Sequence, residues 1–319
     1  MKSVKKALII GASGFIGRYL ANYLARQGQK VVATYHRTLP ASHNDKSVRF
    51  IKCDVTKKAG LLQVIRQQRP DEIYYLAARS SIRRSWLEPE ETFKVNFLGG
   101  LYLFGAIGEC HSQAKVLVVS SCTIYGATYR SHKRISEESA LNPLDPYSLS
   151  KCSLDILGRL YASVLGHRIV IARLTNVTGP GQSTIFSVPN IAKQISQIER
   201  NQRPRVVKVG NLDSKRDYLD IRDCVRALYL MMQKGKVGQA YNVSSGSSIR
   251  LAEVLSQMIK LSRVKKNGIK IQKNSHLIAK DEIQAIELKS EKLRRLTGWR
   301  PQISFRDTLQ DVLNEFRKS

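Results

Sequence analysis

The residues best placed to do chemistry lie in the run Leu144-Asp145-Pro146-Tyr147-Ser148-Leu149-Ser150-Lys151. Asp145 reads as a helix N-cap and Pro146 as the first helical residue, where a missing N–H costs nothing. Tyr147 and Lys151 then stand four apart, one turn along the same helix face. An ammonium beside a phenol in a partly dry site favours the phenolate, so the tyrosine pKa is expected to fall from about 10 toward neutrality. Such a group can move a proton onto or off an alcohol or sugar oxygen at physiological pH. The same spacing arises on ordinary amphipathic helices, so its meaning depends on the elements around it.

The first of those elements is an apolar run at 6–10, then Gly11-Ala12-Ser13-Gly14-Phe15-Ile16-Gly17, then an amphipathic stretch at 18–24. This is strand, glycine turn and helix. Gly11 permits the tight turn, Gly14 lets a pyrophosphate approach the backbone, and Gly17 allows helix to pack on strand. A second strand at 30–34 runs into Thr34-Tyr35-His36-Arg37 without the acid that would hold a ribose 2′-OH. With Arg18 opening the preceding helix, the cations Arg18, His36 and Arg37 favour a 2′-phosphate, so NADP(H) is expected in preference to NAD(H). The competing reading is a solvated basic loop.

Strands and helices then alternate: a strand at 48–53 ending at Asp54, a helix at 58–68, and a strand at 72–76 entering Ala77-Ala78-Arg79-Ser80-Ser81. A long helix at 90–110 precedes a strand at 115–119 that ends in Ser120-Ser121-Cys122-Thr123. Apolar strands alternating with helices predict a doubly wound parallel sheet of the α/β class, with ligands at the carboxyl ends of the strands. Beyond the Tyr147 helix come a strand at 169–174, a helix at 185–199 and a strand at 206–209. Arg216-Asp217 and Asp220 then precede a helix reaching 232, and a short strand at 239–243 follows. Helices are expected at 251–261, 289–296 and 305–317. The division expected is 1–175, with 217–243 returning to it, as a cofactor-binding domain. Residues 176–216 and 244–319 form a smaller, interleaved α/β domain for substrate.

Composition narrows the class. The chain has 319 residues, 42% hydrophobic and 24% charged, as in ordinary globular proteins. Cys53, Cys110, Cys122, Cys152 and Cys224 are scattered without metal-ligand spacing and read as reduced thiols of a cytoplasmic protein. No signal peptide, membrane span or metal site is expected. The net charge of +28 raises a nucleic-acid or anionic-membrane partner. The cations come as dispersed pairs (Arg83-Arg84, Arg294-Arg295) without interleaved aromatics, which argues against nucleic acid as the main partner. A cofactor- or nucleic-acid-binding regulator is the non-enzyme alternative, and it has no need of Tyr147 and Lys151 on one helix face.

Together these pieces resemble the nucleotide-sugar branch of the extended short-chain dehydrogenase/reductase family, with its Rossmann-type fold. The matching residues are Gly11 through Gly17, Asp54-Val55, Leu76-Ala77-Ala78, Asn96, Ser120-Ser121, Tyr147 with Lys151, and Tyr241-Asn242-Val243-Ser244-Ser245-Gly246. They span most of the chain in the family's order. Within the branch, several segments are most similar to the GDP-4-dehydro-6-deoxy-mannose reductases: Ser80-Ser81-Ile82 with Ser85-Trp86, Gly179-Pro180-Gly181-Gln182, Ala192-Lys193-Gln194, Lys208-Val209-Gly210, and Thr297-Gly298-Trp299. The resemblance implies that Tyr147 donates a proton as hydride reaches a carbonyl carbon. It implies that Lys151 tunes Tyr147 and holds the nicotinamide ribose, and that Ser121 donates to the developing oxyanion. Phe15, Ile16, Asp54, Val55, Leu76, Ala77 and Ala78 would contact cofactor. Ser80, Ser121, Asn176, Lys193, Val209, Arg216 and Glu282 would contact a GDP-linked nucleotide sugar. A homodimer is also implied.

Departures from relatives sharpen the reading. The branch's 4,6-dehydratases carry a Glu two residues after the catalytic Ser/Thr; here that position is Thr123, a poor base. GDP-fucose-type epimerase/reductases use a Cys and a His. Cys122 is one position off that cysteine, and Gly181 stands where the histidine belongs. The reductases' Arg-Pro-x-Glu segment is Ala279-Lys280-Asp281-Glu282, which keeps the Glu without the Arg. The expectation is an NADPH-dependent 4-ketoreductase of a GDP-linked 4-keto-6-deoxyhexose that makes GDP-D-rhamnose, with a nucleotide-sugar 4-epimerase or 4,6-dehydratase as alternatives.

Overall fold

Residues 7–10 are wholly buried, because a central strand of a doubly covered sheet faces packed helices on both sides. A computed structural model describes residues 4–39, 47–131, 134–264, 268–274 and 283–318. Its first half alternates β1 (Lys6–Ile10), α1 (Phe15–Arg26), β2 (Lys30–Tyr35), β3 (Val48–Lys52), α2 (Lys58–Gln68) and β4 (Glu72–Tyr75). Next come α3 (Ile82–Leu87), α4 (Pro89–Phe93), a π-helical turn (Lys94–Leu98), α5 (Gly99–Glu109) and β5 (Lys115–Ser121). A 3-10 segment (Cys122–Arg130), α6 (Pro146–Val164) and β6 (Ile169–Leu174) follow.

The second half holds β7 (Asn176–Thr178), α7 (Ser187–Glu199), β8 (Val206–Val209), β9 (Lys215–Asp220), α8 (Ile221–Lys234) and β10 (Ala240–Val243). It ends with β11 (Ser248–Arg250), α9 (Leu251–Leu261), β12 (Lys270–Lys273), α10 (Glu291–Thr297) and α11 (Phe305–Lys318).

Seven strands form one sheet in the order β10-β6-β5-β4-β1-β2-β3, every pair parallel. The chain runs outward from β1 in both directions, so the crevice between β1 and β4 opens at their carboxyl ends, where such sheets take ligands. One core packs α1 and α8 on one face, the other α2, α5 and α6 on the opposite face. A third core, from α7, β8, α9 and α11, stands apart. A three-stranded sheet, β11-β9-β7, and the pair β12-β8 complete the second half.

Several elements differ from their expected form. β5 runs on to Ser121 because Ser120 and Ser121 stay paired with Arg173 and Leu174 of β6. The helix expected at 90–110 is interrupted by the π turn, which inserts an extra residue per turn and rotates the side chains that follow. The 216–223 stretch begins as strand β9, while β7, β11, β12 and α3 are too short to announce themselves by periodicity.

Candidate active site

The glycine turn is shaped by contact with the next loop of the sheet. Gly11 has φ +92°, and a Cβ there would lie 2.6 Å from the Ala77 nitrogen. Gly17 is as tight, its Cβ position falling 2.6 Å from the Ala12 Cα. Gly14 is the N-cap of α1 and brings no side chain to it, and the first turn holds no acid. The first N–H groups of α1 are therefore left for an anion, as a dinucleotide's pyrophosphate requires.

Facing this turn is a cleft of about 500 Å³. Its far wall is built from the end of β5 and the first turns of α6. Asp145 caps α6 as expected, its Oδ1 accepting from the Ser148 N–H at 2.8 Å and its Oδ2 from the Ser148 hydroxyl at 2.7 Å. This start puts Tyr147 and Lys151 into the cleft beside Ser121. Ser121 Oγ accepts from the Thr123 N–H at 3.2 Å, lies 2.9 Å from the Thr123 hydroxyl, and stands beside Tyr147, whose ionised form it favours.

The electrostatics depart from the expected lowering of the tyrosine. Burial pushes Tyr147 up to about 12, and the Ser121 hydrogen bond offsets only part of that rise. Lys151 does not contribute, because its Nζ donates to the Val119 carbonyl at 2.8 Å instead of to the phenol. Burial brings Lys151 itself down to about 8. Tyr147 thus enters the site as a protonated acid, with a cation that titrates close to neutrality one turn away.

Asn96, buried in the π turn, ties the two walls together. Its Oδ1 accepts from the Arg79 N–H at 2.7 Å, and its Nδ2 donates to the Arg79 carbonyl at 3.2 Å and to Ser150 Oγ at 2.9 Å. Ser150 in turn donates to the Tyr147 carbonyl at 2.7 Å. The loop at 77–80 and the helix carrying Tyr147 are therefore held by one amide. The sequence signals Asn96 only as part of a motif; its two-sided role follows from the π turn.

Of the residues expected at the site, Gly11, Gly14, Phe15, Ile16, Gly17, Leu76, Ala78, Ser80, Ser121, Tyr147, Lys151, Asn176 and Arg216 line the cleft. Ala77 backs Gly11 from behind. Val55 is buried, and Asp54 accepts from Thr56 while lying 3.6 Å from His36 Nε2. His36 and Arg37 are exposed just past β2. The Arg18 guanidinium donates to the Gly181 carbonyl at 2.9 Å and so ties the 179–182 loop to α1. Lys193 is exposed on α7 and Val209 is packed in the third core, so neither reaches the cleft wall. Glu282 lies outside the described residues.

Residues not singled out as ligands also line it, among them Arg83, Gln182, Phe186 and Tyr218. Of these four, Gln182 belongs to a sequence motif, the Gly-Pro-Gly-Gln run. Among the described residues lining the cleft there is no carboxylate and no histidine. Asp217 is close in sequence to Arg216 but wholly buried, held by the Ser245 N–H and hydroxyl and the Gly246 N–H, with burial pushing it up to about 6. Burial likewise pushes the Cys122 thiol up to about 12, so it is no proton shuttle near neutrality. Among the described residues no His/Cys/Asp/Glu cluster is placed to hold a metal, and no helix is long and apolar enough to cross a membrane.

Known proteins carry the same architecture from end to end. GDP-6-deoxy-D-mannose reductase of Pseudomonas aeruginosa is 26% identical over 312 residues, covering 98% of this chain and 97% of that protein. The solved structure of RMD from Pseudomonas aeruginosa complexed with NADPH is similar with a TM-score of 0.85 at 25% identity, covering 99% of both chains. UDP-glucose 4-epimerase of Thermus thermophilus, solved with NAD, has a TM-score of 0.86 at 25% identity, covering 98% of this chain and 99% of that one. The family model described as GDP-mannose 4,6 dehydratase matches residues 8–312, nearly the whole chain. The chain belongs to that family, a group of extended short-chain dehydrogenase/reductase enzymes whose members act on nucleotide sugars as dehydratases, epimerases or reductases.

Proposed function

We propose that the chain is an NADPH-dependent reductase of the 4-keto group of a nucleotide-linked 4-keto-6-deoxyhexose, with GDP-4-dehydro-6-deoxy-D-mannose as substrate and GDP-D-rhamnose as product. One observation carries this reading: Tyr147, Ser121 and Lys151 converge in a cleft whose described lining offers no carboxylate and no histidine. Dehydration needs a base for the hydrogen beside the carbonyl, and Thr123 occupies the wall where one would act. Epimerisation beside the carbonyl needs a thiolate or imidazole, and Cys122 is held as a buried thiol. Reduction needs only an acid and an oxyanion donor.

A bound nicotinamide cofactor would supply the hydride. The uncapped start of α1 would hold its diphosphate, and His36 and Arg37 beyond β2 favour a 2′-phosphate. Tyr147 donates its proton to the carbonyl oxygen. Ser121 hydrogen-bonds that oxygen as negative charge develops, and Lys151, one turn along α6, keeps a positive charge on the same wall of the cleft. Arg216 and Asn176 are the cleft's polar groups for the nucleotide diphosphate. The third core supports assigning 176–216 and 244–319 to the nucleotide sugar, and 1–175 with 217–243 to the cofactor. The five cysteines are free, as suits a reducing cytoplasm. Exposed Leu149, Ile156, Leu160 and Val164 on α6, with Trp86 and Leu87 on α3, support a homodimer across that face.

The test mixes the protein, NADPH and GDP-mannose pre-treated with a 4,6-dehydratase. Loss of reduced-nicotinamide absorbance with a 6-deoxyhexose product is expected. Tyr147→Phe should bind NADPH normally and lose turnover by a factor on the order of hundreds or more. Interconversion of UDP-glucose and UDP-galactose without net use of NADPH would replace this reading with a 4-epimerase.

A further inference from the structure

Several groups crowd one hydroxyl in this site. Ser121 Oγ has one proton and two lone pairs. One lone pair is committed to the Thr123 N–H, since a backbone amide can only donate. The Thr123 hydroxyl at 2.9 Å, the neighbouring Cys122 thiol and the Tyr147 phenol share what remains. If Ser121 donates to Thr123, its proton points away from the reacting oxygen and it can only accept from Tyr147, which ties up the acid. If Thr123 donates, both Ser121 lone pairs are filled and its proton has a single direction left, toward Tyr147 and the cleft. Thr123 Oγ1 has no other hydrogen-bond partner among the described residues, and the residue is partly exposed in the cleft wall.

We propose that Thr123 is a positioning residue of this site: its hydroxyl donates to Ser121 Oγ and so directs the Ser121 proton at the oxygen that Tyr147 protonates. This rests on the reductase reading above. A hydrogen bond into Ser121 also makes it a stronger donor as charge grows on the substrate oxygen. Local capping alone would need only the Thr123 backbone N–H, which any residue supplies, so the side chain separates the two ideas.

Thr123→Val keeps the backbone donor and the shape but removes the hydroxyl. The expected result is a kcat roughly three- to tenfold lower, the worth of one hydrogen bond, with KM and NADPH affinity unchanged. Thr123→Ser should restore the parent rate. In a Ser121→Ala background, Thr123→Val should cost nothing further. An unchanged kcat in Thr123→Val, or the same extra loss in both backgrounds, would overturn the proposal. A readout independent of substrate follows the 13Cζ resonance of Tyr147 in tyrosine-labelled protein, assigned by comparison with Tyr147→Phe. Thr123→Val should move that resonance at neutral pH, because the Ser121 proton no longer points at the phenol, and Thr123→Ser should not; an unmoved resonance overturns the proposal whatever the substrate proves to be. Full reductase activity in Tyr147→Phe, alongside a shifted Tyr147 resonance in Thr123→Val, would discard the reductase reading and leave the Thr123–Ser121 assignment standing.

Discussion

Lys151 is a cation with 2% exposure, and its one hydrogen bond is to the carbonyl of Val119. Burial lowers it to about 8. A cation depressed on folding adds stability above its unfolded value, near 10.5, and loses that contribution as pH falls through about 8. At neutral pH the charged side chain therefore opposes folding. Lys151→Met is expected to be more stable than the parent at pH 7 by roughly 1–3 kcal/mol, the gain vanishing toward pH 10.5. Urea unfolding at the two pH values checks this; a variant that is less stable at pH 7 contradicts it. The same titration predicts that kcat/KM for reduction declines as pH rises past about 8, where the cation is lost. The sequence makes Tyr147 and Lys151 neighbours but cannot say where Nζ points. That direction, toward the Val119 carbonyl, takes the cation away from the phenol and leaves burial to raise the tyrosine. For Arg18 too, its place at the head of α1 was legible, while the Gly181 carbonyl it bonds is far along the chain.

α6 is held in place by a charge pair it shares with the sheet. Asp155 on α6 takes two hydrogen bonds from Arg173 on β6, at 2.8 and 2.9 Å, both side chains being buried. Arg173 also donates to the Tyr125 hydroxyl at 2.9 Å and the Glu137 carbonyl at 3.0 Å, and Tyr125 donates to Asn242 Oδ1 on β10 at 2.7 Å. Four pieces of chain that surround the site thus share one guanidinium. Arg173→Met would leave Asp155 buried with only the half-exposed Arg159 as a charged partner, at an expected cost of about 3–5 kcal/mol. Adding Asp155→Leu should recover much of it, since no buried charge then remains. Denaturant unfolding of the single and double variants decides; a double variant no better than the single one refutes the account. At this scale the sequence was most informative where a fully buried strand ran into a glycine, as at residues 7–11, or where a cap preceded a proline, as at Asp145. It was silent on the π turn, whose residues read as unbroken helix, and on β12, whose four side chains are all exposed and leave no alternation to detect.

Across the whole molecule, 53 basic against 25 acidic residues leave a charge of +28, and the described lining of the cleft adds no carboxylate to oppose it. A polyanionic cofactor and a nucleotide sugar would approach down that gradient. The proposed dimer is testable at this level too: Ile156→Lys with Leu160→Glu should sediment as a folded monomer where the parent sediments as a dimer, and a parent that is monomeric at all concentrations removes the proposal. α6 presents Tyr147 and Lys151 to the cleft on one side and Leu149, Ile156 and Leu160 to solvent on the other. If a second copy covers that outer side, the inner side is braced only while the copies are together. Specific activity should then depend on how dilute the assay is, falling below the concentration at which the copies separate and returning when enzyme is added back.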